Sequence, residues 1–506
     1  MTKRLKILMA AAFIFMLLLT ACRGRKSNAP ASVVRDTLIM GSPTDIENTD
    51  PQYANNLVSM KIVTQLYDTL MKCSPDGKLS PWLVEKYEEA NGGMSYVFTI
   101  KKGVKFHNGD ELKASDVAFT IGRGIGSPFA GAIFGPVKGA EALSDYEVRV
   151  DLKYAYAPFL YAMSTPLSSI VNEKACKAAG DNFGRNPCGT GAYKFVSWEP
   201  GNRVTLVAFD DWHGGKAPIK NIIFRVLPDP TTSVIALEKG EVDMLLETPV
   251  AERAKIKSNA NLRLYEASSH RFYYVGFNMR SPNFSDQRVR EAVAKALNRE
   301  GIRVVASEDT GFLAQNHLTK SIFGFASDVK WYDQDVEGAK SLMRQAGKTS
   351  MSVRLVCQDG PPRKAAQVVQ DNLKEIGITV NIEVLERAGL IDAGQKGNFD
   401  LMVNAWSTPV PDADYTVNFL FTSKMIGAMN YSLYGSKEMD DLILLGEMQL
   451  DLNDRLSTYK KITELLKTDI PNIPVYFEMI SLAANKDLMN VVPSPSSTYY
   501  FYELSW

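Results

Sequence analysis

The chain carries four histidines, His107, His213, His270 and His317, all far apart in sequence. That spacing builds no histidine-rich metal centre, and no Cys-x-x-Cys is present for zinc or thioredoxin-like chemistry. A Gly-x-Ser-x-Gly elbow and a His-Glu-x-x-His helix are both missing, and no histidine accompanies a nucleophile motif. Asp210/Asp211 and Asp440/Asp441 are carboxylate pairs, but adjacent side chains diverge on a helix or a strand. They read as solvated faces, not as a general acid with its base. Gly189-Thr190-Gly191 suggests a phosphate loop until its flanks are read. The Lys-Ser/Thr of a P-loop is missing, and a strand-like run follows where a helix is required. The segment reads as a tight turn between domains, and His107 as a packed or turn histidine. No cofactor or metal is expected. What remains is binding.

A binding site needs a scaffold, and 506 residues are enough for two to four domains with a large core. Lys plus Arg and Asp plus Glu each number 57, so no basic excess points to nucleic acid. Apolar residues at 45% and charged residues at 23% exclude a disordered chain. Short β-rich runs (Asp36–Met40, Ser95–Ile100, Tyr146–Leu152, Arg203–Ala208, Ile222–Leu227) alternate with helical patterns at Val234–Lys239, Arg288–Asn298, Val336–Ala346 and Ala365–Ile376. Ser352–Cys357, the helix ending at Gly377 and Thr379–Val384 form a βαβ unit, which demands parallel pairing. Ser115 reads as the N-cap of a helix starting at Asp116. The chain is expected to be α/β with mixed sheets.

The first residues stand apart from that globule. Lys3, Arg4 and Lys6 precede an apolar run, Ile7–Leu19, too short to span a bilayer. Leu19-Thr20-Ala21-Cys22 resembles the bacterial lipoprotein processing box, in which the cysteine is acylated and becomes the new N-terminus. Residues 1–21 are thus expected to be a signal peptide and 22–32 a flexible tether, with Cys22 lipidated. Of the other cysteines, Cys176 and Cys188 can close a short disulfide loop in an extracytoplasmic compartment, or stay buried thiols.

Several segments in order resemble the peptide/nickel class of bacterial extracellular solute-binding proteins, family 5, the receptors of ATP-driven importers. They are Leu66-Tyr67-Asp68-Thr69-Leu70, Phe98–Asp110 continuing through Ala114–Phe119, Pro187–Lys194, Val275–Asn278 with Arg288–Ala292, and Ile470–Tyr476. The resemblance implies a periplasmic-binding-protein-like clamshell of two lobes, one of them discontinuous and carrying an extra inserted domain. By that pattern domain I is 33–65, 187–271 and 479–506, domain II is 66–186 and domain III is 272–478. It also implies a monomer that closes on an oligopeptide and docks on the transmembrane subunits of a permease. The lipid anchor would hold it on the outer side of a bacterial membrane, and no enzyme activity is implied.

The same resemblance places the ligand. One contact face follows Asp50-Pro51, with Asn55 and Leu57 as binding residues, and extended peptides are held there by main-chain hydrogen bonds. The opposite face is the loop Ala405-Trp406-Ser407, whose tryptophan either walls the ligand or packs in the core. In the family an Asp three residues after this Trp pairs with the peptide's α-amino group. Here that position is Pro409, which leaves Asp412 and Asp414 to take over the role or to serve as turn and capping residues. A same-fold receptor for a nickel chelate, an opine or a sugar stays open, as does a surface hydrolase or adhesin. The absence of histidine from Ala405–Tyr415 disfavours nickel.

Overall fold

Runs at the strand period and at the helical period fold as their patterns require. The computed structural model describes residues 35–54 and 56–506, so Cys22 and Asn55 lie outside the described residues. Thr37–Ser42, Ser95–Ile100, Glu147–Leu152, Arg203–Ala208 and Asn221–Val226 are strands, while Pro230–Glu238, Gln287–Ala296, Val336–Gln345 and Pro361–Lys374 are helices. The βαβ unit is present. Met351–Cys357 pairs in parallel with Ile378–Val384, and the helix between them buries Ala365, Ala366, Val369 and Leu373. One boundary differs from expectation: the helix Ala114–Ile125 starts before Ser115. The Asp116 carboxylate closes its first turn by accepting from Lys113 N at 3.0 Å.

A mixed sheet of eleven strands runs through the protein. Two long antiparallel strands, Leu262–Phe277 and Asn472–Asn485, lie at its middle. The longer has sixteen residues, a span of ~50 Å at about 3.3 Å per residue. That is two to three times an ordinary strand. Such strands cross from one apolar core to another. The first core gathers Leu38, Met40, Phe98, Tyr193, Leu206, Ile222 and Leu482. The second gathers Phe272, Val289, Leu355, Val369, Leu401 and Ile473. The fold is two-lobed α/β.

Pairing of the long strands shifts register between Ser268 and Phe272, where the chain passes between the cores. At this irregularity His270 N donates to Pro495 O at 2.9 Å and Arg271 N to Ser269 Oγ at 3.0 Å. Burying a side chain such as Phe272 stabilises by about 1.5–3 kcal/mol.

The segment after Leu66 adds an antiparallel sheet of its own, ordered Val84–Ala90, Ser95–Ile100, Glu147–Leu152, Val137–Ala142. The chain returns to the large sheet through Gly189-Thr190-Gly191, and here glycine is a steric requirement. A Cβ on Gly189 would sit 2.2 Å from Leu66 O, and one on Gly191 2.4 Å from Gln65 O. His107 Nε2 lies 3.0 Å from Gly191 O, and its ring meets Phe209 edge-on. Both features are packing, as the missing P-loop residues imply.

Cys176 and Cys188 are buried free thiols, so the disulfide is not formed. Their surroundings differ. Cys176, on the helix Glu173–Ala179, faces Arg123 and Asp50. Cys188 faces the backbone amides of His107 and Asn108, and burial pushes its thiol up to about 11.

Candidate functional site

The strand Leu401–Ser407 begins inside the sheet and ends at an edge. On one side all of it pairs with Arg271–Phe277. On the other, only Leu401–Val403 have partners, at Leu355–Cys357. Past Val403 the outer edge of Asn404–Ser407 has no strand partner among the described residues. Unpaired strand edges present main-chain donors and acceptors to whatever lies alongside.

What lies alongside is a cavity of 380 Å³, lined by Arg271, Tyr274, Gln358, Arg387, Leu390, Ile391, Asn404, Ala405, Trp406, Ser407, Leu420, Met429 and Tyr431. Ala405, Trp406 and Ser407 therefore share one site. The half-buried Trp406 ring packs at 5.8 Å from Tyr415 and 6.1 Å from Phe419. It is a wall and a packing residue together. Its buried Nε1 has no hydrogen-bond partner.

Beyond Ser407 the chain turns away. Thr408 N donates to His270 O at 3.2 Å, and Thr408 Oγ1 meets Thr416 Oγ1 at 2.6 Å. Pro409 then faces a separate crevice of 20 Å³ shared with His270, Ser321, Pro411 and Thr498.

Neither aspartate is available as an amine anchor, which corrects the expectation for both. Asp412 is fully buried and receives Arg455 Nη1 at 3.0 Å and Nη2 at 2.9 Å. It also caps the helix Ala413–Phe421, accepting from Asp414 N at 3.0 Å. Its charge is matched inside the protein. Asp414, also buried, accepts from Tyr156 Oη at 2.8 Å. Burial first, then the nearby Glu447 and Asp412, push its pKa well above the carboxylate range. Buried and bonded to Tyr156, Asp414 does not line the cavity. Leu57 is exposed at the start of the helix Leu57–Leu66 and does not line the cavity.

A strand edge beside an open cavity offers an extended ligand main-chain hydrogen bonds and room for part of its bulk. Residues 78–427 match the middle region of the bacterial extracellular solute-binding proteins, family 5. The chain belongs to this family. It is 26% identical to the oligopeptide-binding protein AppA of Bacillus subtilis, over 99% of this chain and 98% of that one. It is also 26% identical to heme-binding protein A of Haemophilus influenzae, over 87% of each chain. The solved structure of HbpA2 from Haemophilus parasuis shares the fold, with a TM-score of 0.87 at 23% identity, covering 93% of this chain and 99% of the other. Family membership makes the chain a binding protein rather than an enzyme.

Family 5 membership does not by itself point to Arg271, Tyr274, Gln358, Arg387, Asn404 or Tyr431, which the sequence reading missed. Arg271 reaches the site because it stands opposite Ser407 in the antiparallel register, a pairing across more than a hundred residues. Asn404 was within reach, since the strand period of two puts it on the face of Trp406. Arg387 opens the helix Arg387–Lys396, and no local pattern marks it. Among the described residues no group of His, Cys, Asp and Glu is placed to hold a metal ion, and no helix is long and apolar enough to cross a membrane.

Proposed function

We propose that the chain is the extracytoplasmic receptor of an ABC importer, capturing oligopeptides between its lobes and delivering them to the permease. The observation that carries this reading is the open edge of Asn404–Ser407 beside the 380 Å³ cavity. An extended peptide can add to such an edge as a further strand. Main-chain hydrogen bonds then give affinity whatever the side chains, and the cavity takes one of them. The name of the AppA relative points the same way.

The lobes follow the limits set out above. Domain I is 33–65, 187–271 and 479–506, domain II is 66–186, and domain III is 272–478. The register shift at Ser268/Phe272 supports a hinge at the 271/272 boundary. Closure about it buries the ligand, and the closed monomer is what the transmembrane subunits recognise. Cys22, acylated, tethers the protein to the membrane. Pro409 in place of a carboxylate supports a second reading, the same receptor for a solute without a free amine.

Calorimetry with short peptides tests the main reading. Replacing alternate peptide N–H groups by N-methyl removes donors to the strand edge, and affinity should fall about tenfold or more for each essential bond. Unchanged affinity would rule out strand addition, and no binding by any peptide would rule out the peptide receptor.

A further inference from the structure

The charged groups lining the cavity are Arg271 and Arg387, with no carboxylate among its walls. Three buried acids beyond Trp406 are engaged elsewhere. Asp412 holds Arg455, and Asp414 and Glu447 are buried against one another and Tyr156. Glu478 is the acid nearest Arg271, and its Oε2 lies 3.9 Å from Arg271 Nε, beyond hydrogen-bond distance. Arg387 makes no ion pair within 4.0 Å among the described residues, and its charge acts on Tyr431 across the cavity.

Asn404 adds a donor to the wall: its Nδ2 reaches Tyr274 Oη at 3.4 Å, while its Oδ1 accepts from Ala405 N at 2.9 Å. An ammonium ion entering here would lose water and meet two like charges, with no acid in the cavity wall and Glu478 already beside Arg271. A carboxylate would meet two guanidinium forks, whose planar donors match its two oxygens.

We propose that the end of the ligand seated in this cavity is anionic, with carboxylates held by Arg271 and Arg387 and any free amine left outside. The inference rests on the receptor reading and gives that site its substrate class, an acidic peptide with a free C-terminus. It also accounts for Pro409, since a ligand oriented this way has no use for an acid after Trp406.

The test is calorimetry of the full mature chain with three tetrapeptides. The first has two alanines followed by two glutamates and a free C-terminus. The second is the same peptide N-acetylated. The third carries glutamines and a C-terminal amide in place of every carboxylate. The acid peptide should bind, acetylation should leave its affinity within about twofold, and removal of the carboxylates should weaken binding at least about tenfold. Arg271→Gln and Arg387→Gln, both at exposed positions, should each weaken the acid peptide at least about tenfold more than the amide peptide. Equal affinity for acid and amide peptides, or loss of binding on acetylation, would overturn the anionic-end proposal and leave the peptide receptor standing. Failure of all three peptides to bind would overturn both.

Discussion

Tyr156 Oη donates to Asp414 Oδ2 at 2.8 Å and so joins the inserted segment to the second lobe. The neighbouring Ala157 N donates to Glu447 O at 2.7 Å. Asp414 and Glu447 are both buried, and Asp414 Oδ1 has no hydrogen-bond partner. Burial raises the pKa of both acids, and the neighbouring Glu447 raises that of Asp414 further. Asn418, Lys424, Tyr154 and the Asp412–Arg455 pair complete their surroundings.

The raised pKa values of Asp414 and Glu447 make stability fall as pH rises. The raised folded pKa means that the native state binds more protons than the unfolded chain above the ordinary carboxylate range. The contribution is full below that range and is lost as pH climbs through the folded value, at up to about 1.4 kcal/mol per pH unit. Urea titrations at a series of pH values above the ordinary carboxylate range should show this decline in the wild type and a flatter profile in Asp414→Asn. Parallel profiles would mean that Asp414 is ionised in the native state.

On the acid side the sign reverses. Burial pushes His107, His270 and His317 each down to about 4, so the unfolded chain binds more protons between there and about 6.5. Stability is expected to fall as pH drops through this window, by up to about 1.4 kcal/mol per unit for each histidine. Calorimetric melting from pH 7 to pH 4.5 measures it. His317→Gln, at a ring hydrogen-bonded to Asn472 Oδ1 at 2.6 Å, should lose part of that slope.

Asp412→Ala strands the Arg455 guanidinium in the interior, where its remaining partners are Gly446 O at 2.8 Å and Tyr459 Oη at 2.8 Å. Breaking one side of a buried pair costs about 3–5 kcal/mol. Denaturant unfolding should show that loss, while affinity for peptide per folded molecule is retained. A drop in affinity with unchanged stability would put Asp412 back in the ligand site.

Cys22→Ala should leave the precursor unprocessed or the protein released, with no incorporation of labelled palmitate. Normal processing and membrane retention of that variant would dismiss the lipoprotein reading.

How much of this was legible in the residues depends on range. The βαβ unit around Pro361–Lys374 was readable because its signals, a helical apolar face and two flanking β runs, lie within forty residues. Gly189-Thr190-Gly191 was readable by what its flanks lack. Asp412 and Asp414 were offered as ligand contacts because a carboxylate near Trp406 looks available in one dimension. Arg455 and Tyr156, their partners, stand more than forty and more than two hundred residues away in the chain. Arg271 was silent for the same reason, since only the pairing with Ser407 turns a strand residue into a cavity wall.

Native mass spectrometry of the protein purified under non-denaturing conditions from its own host tests the central claim most directly. The account predicts a bound, intact peptide that is released on unfolding and carries acidic residues at its free C-terminus. A heme, a metal chelate or a sugar in the complex, or a peptide rich in basic residues, would contradict it.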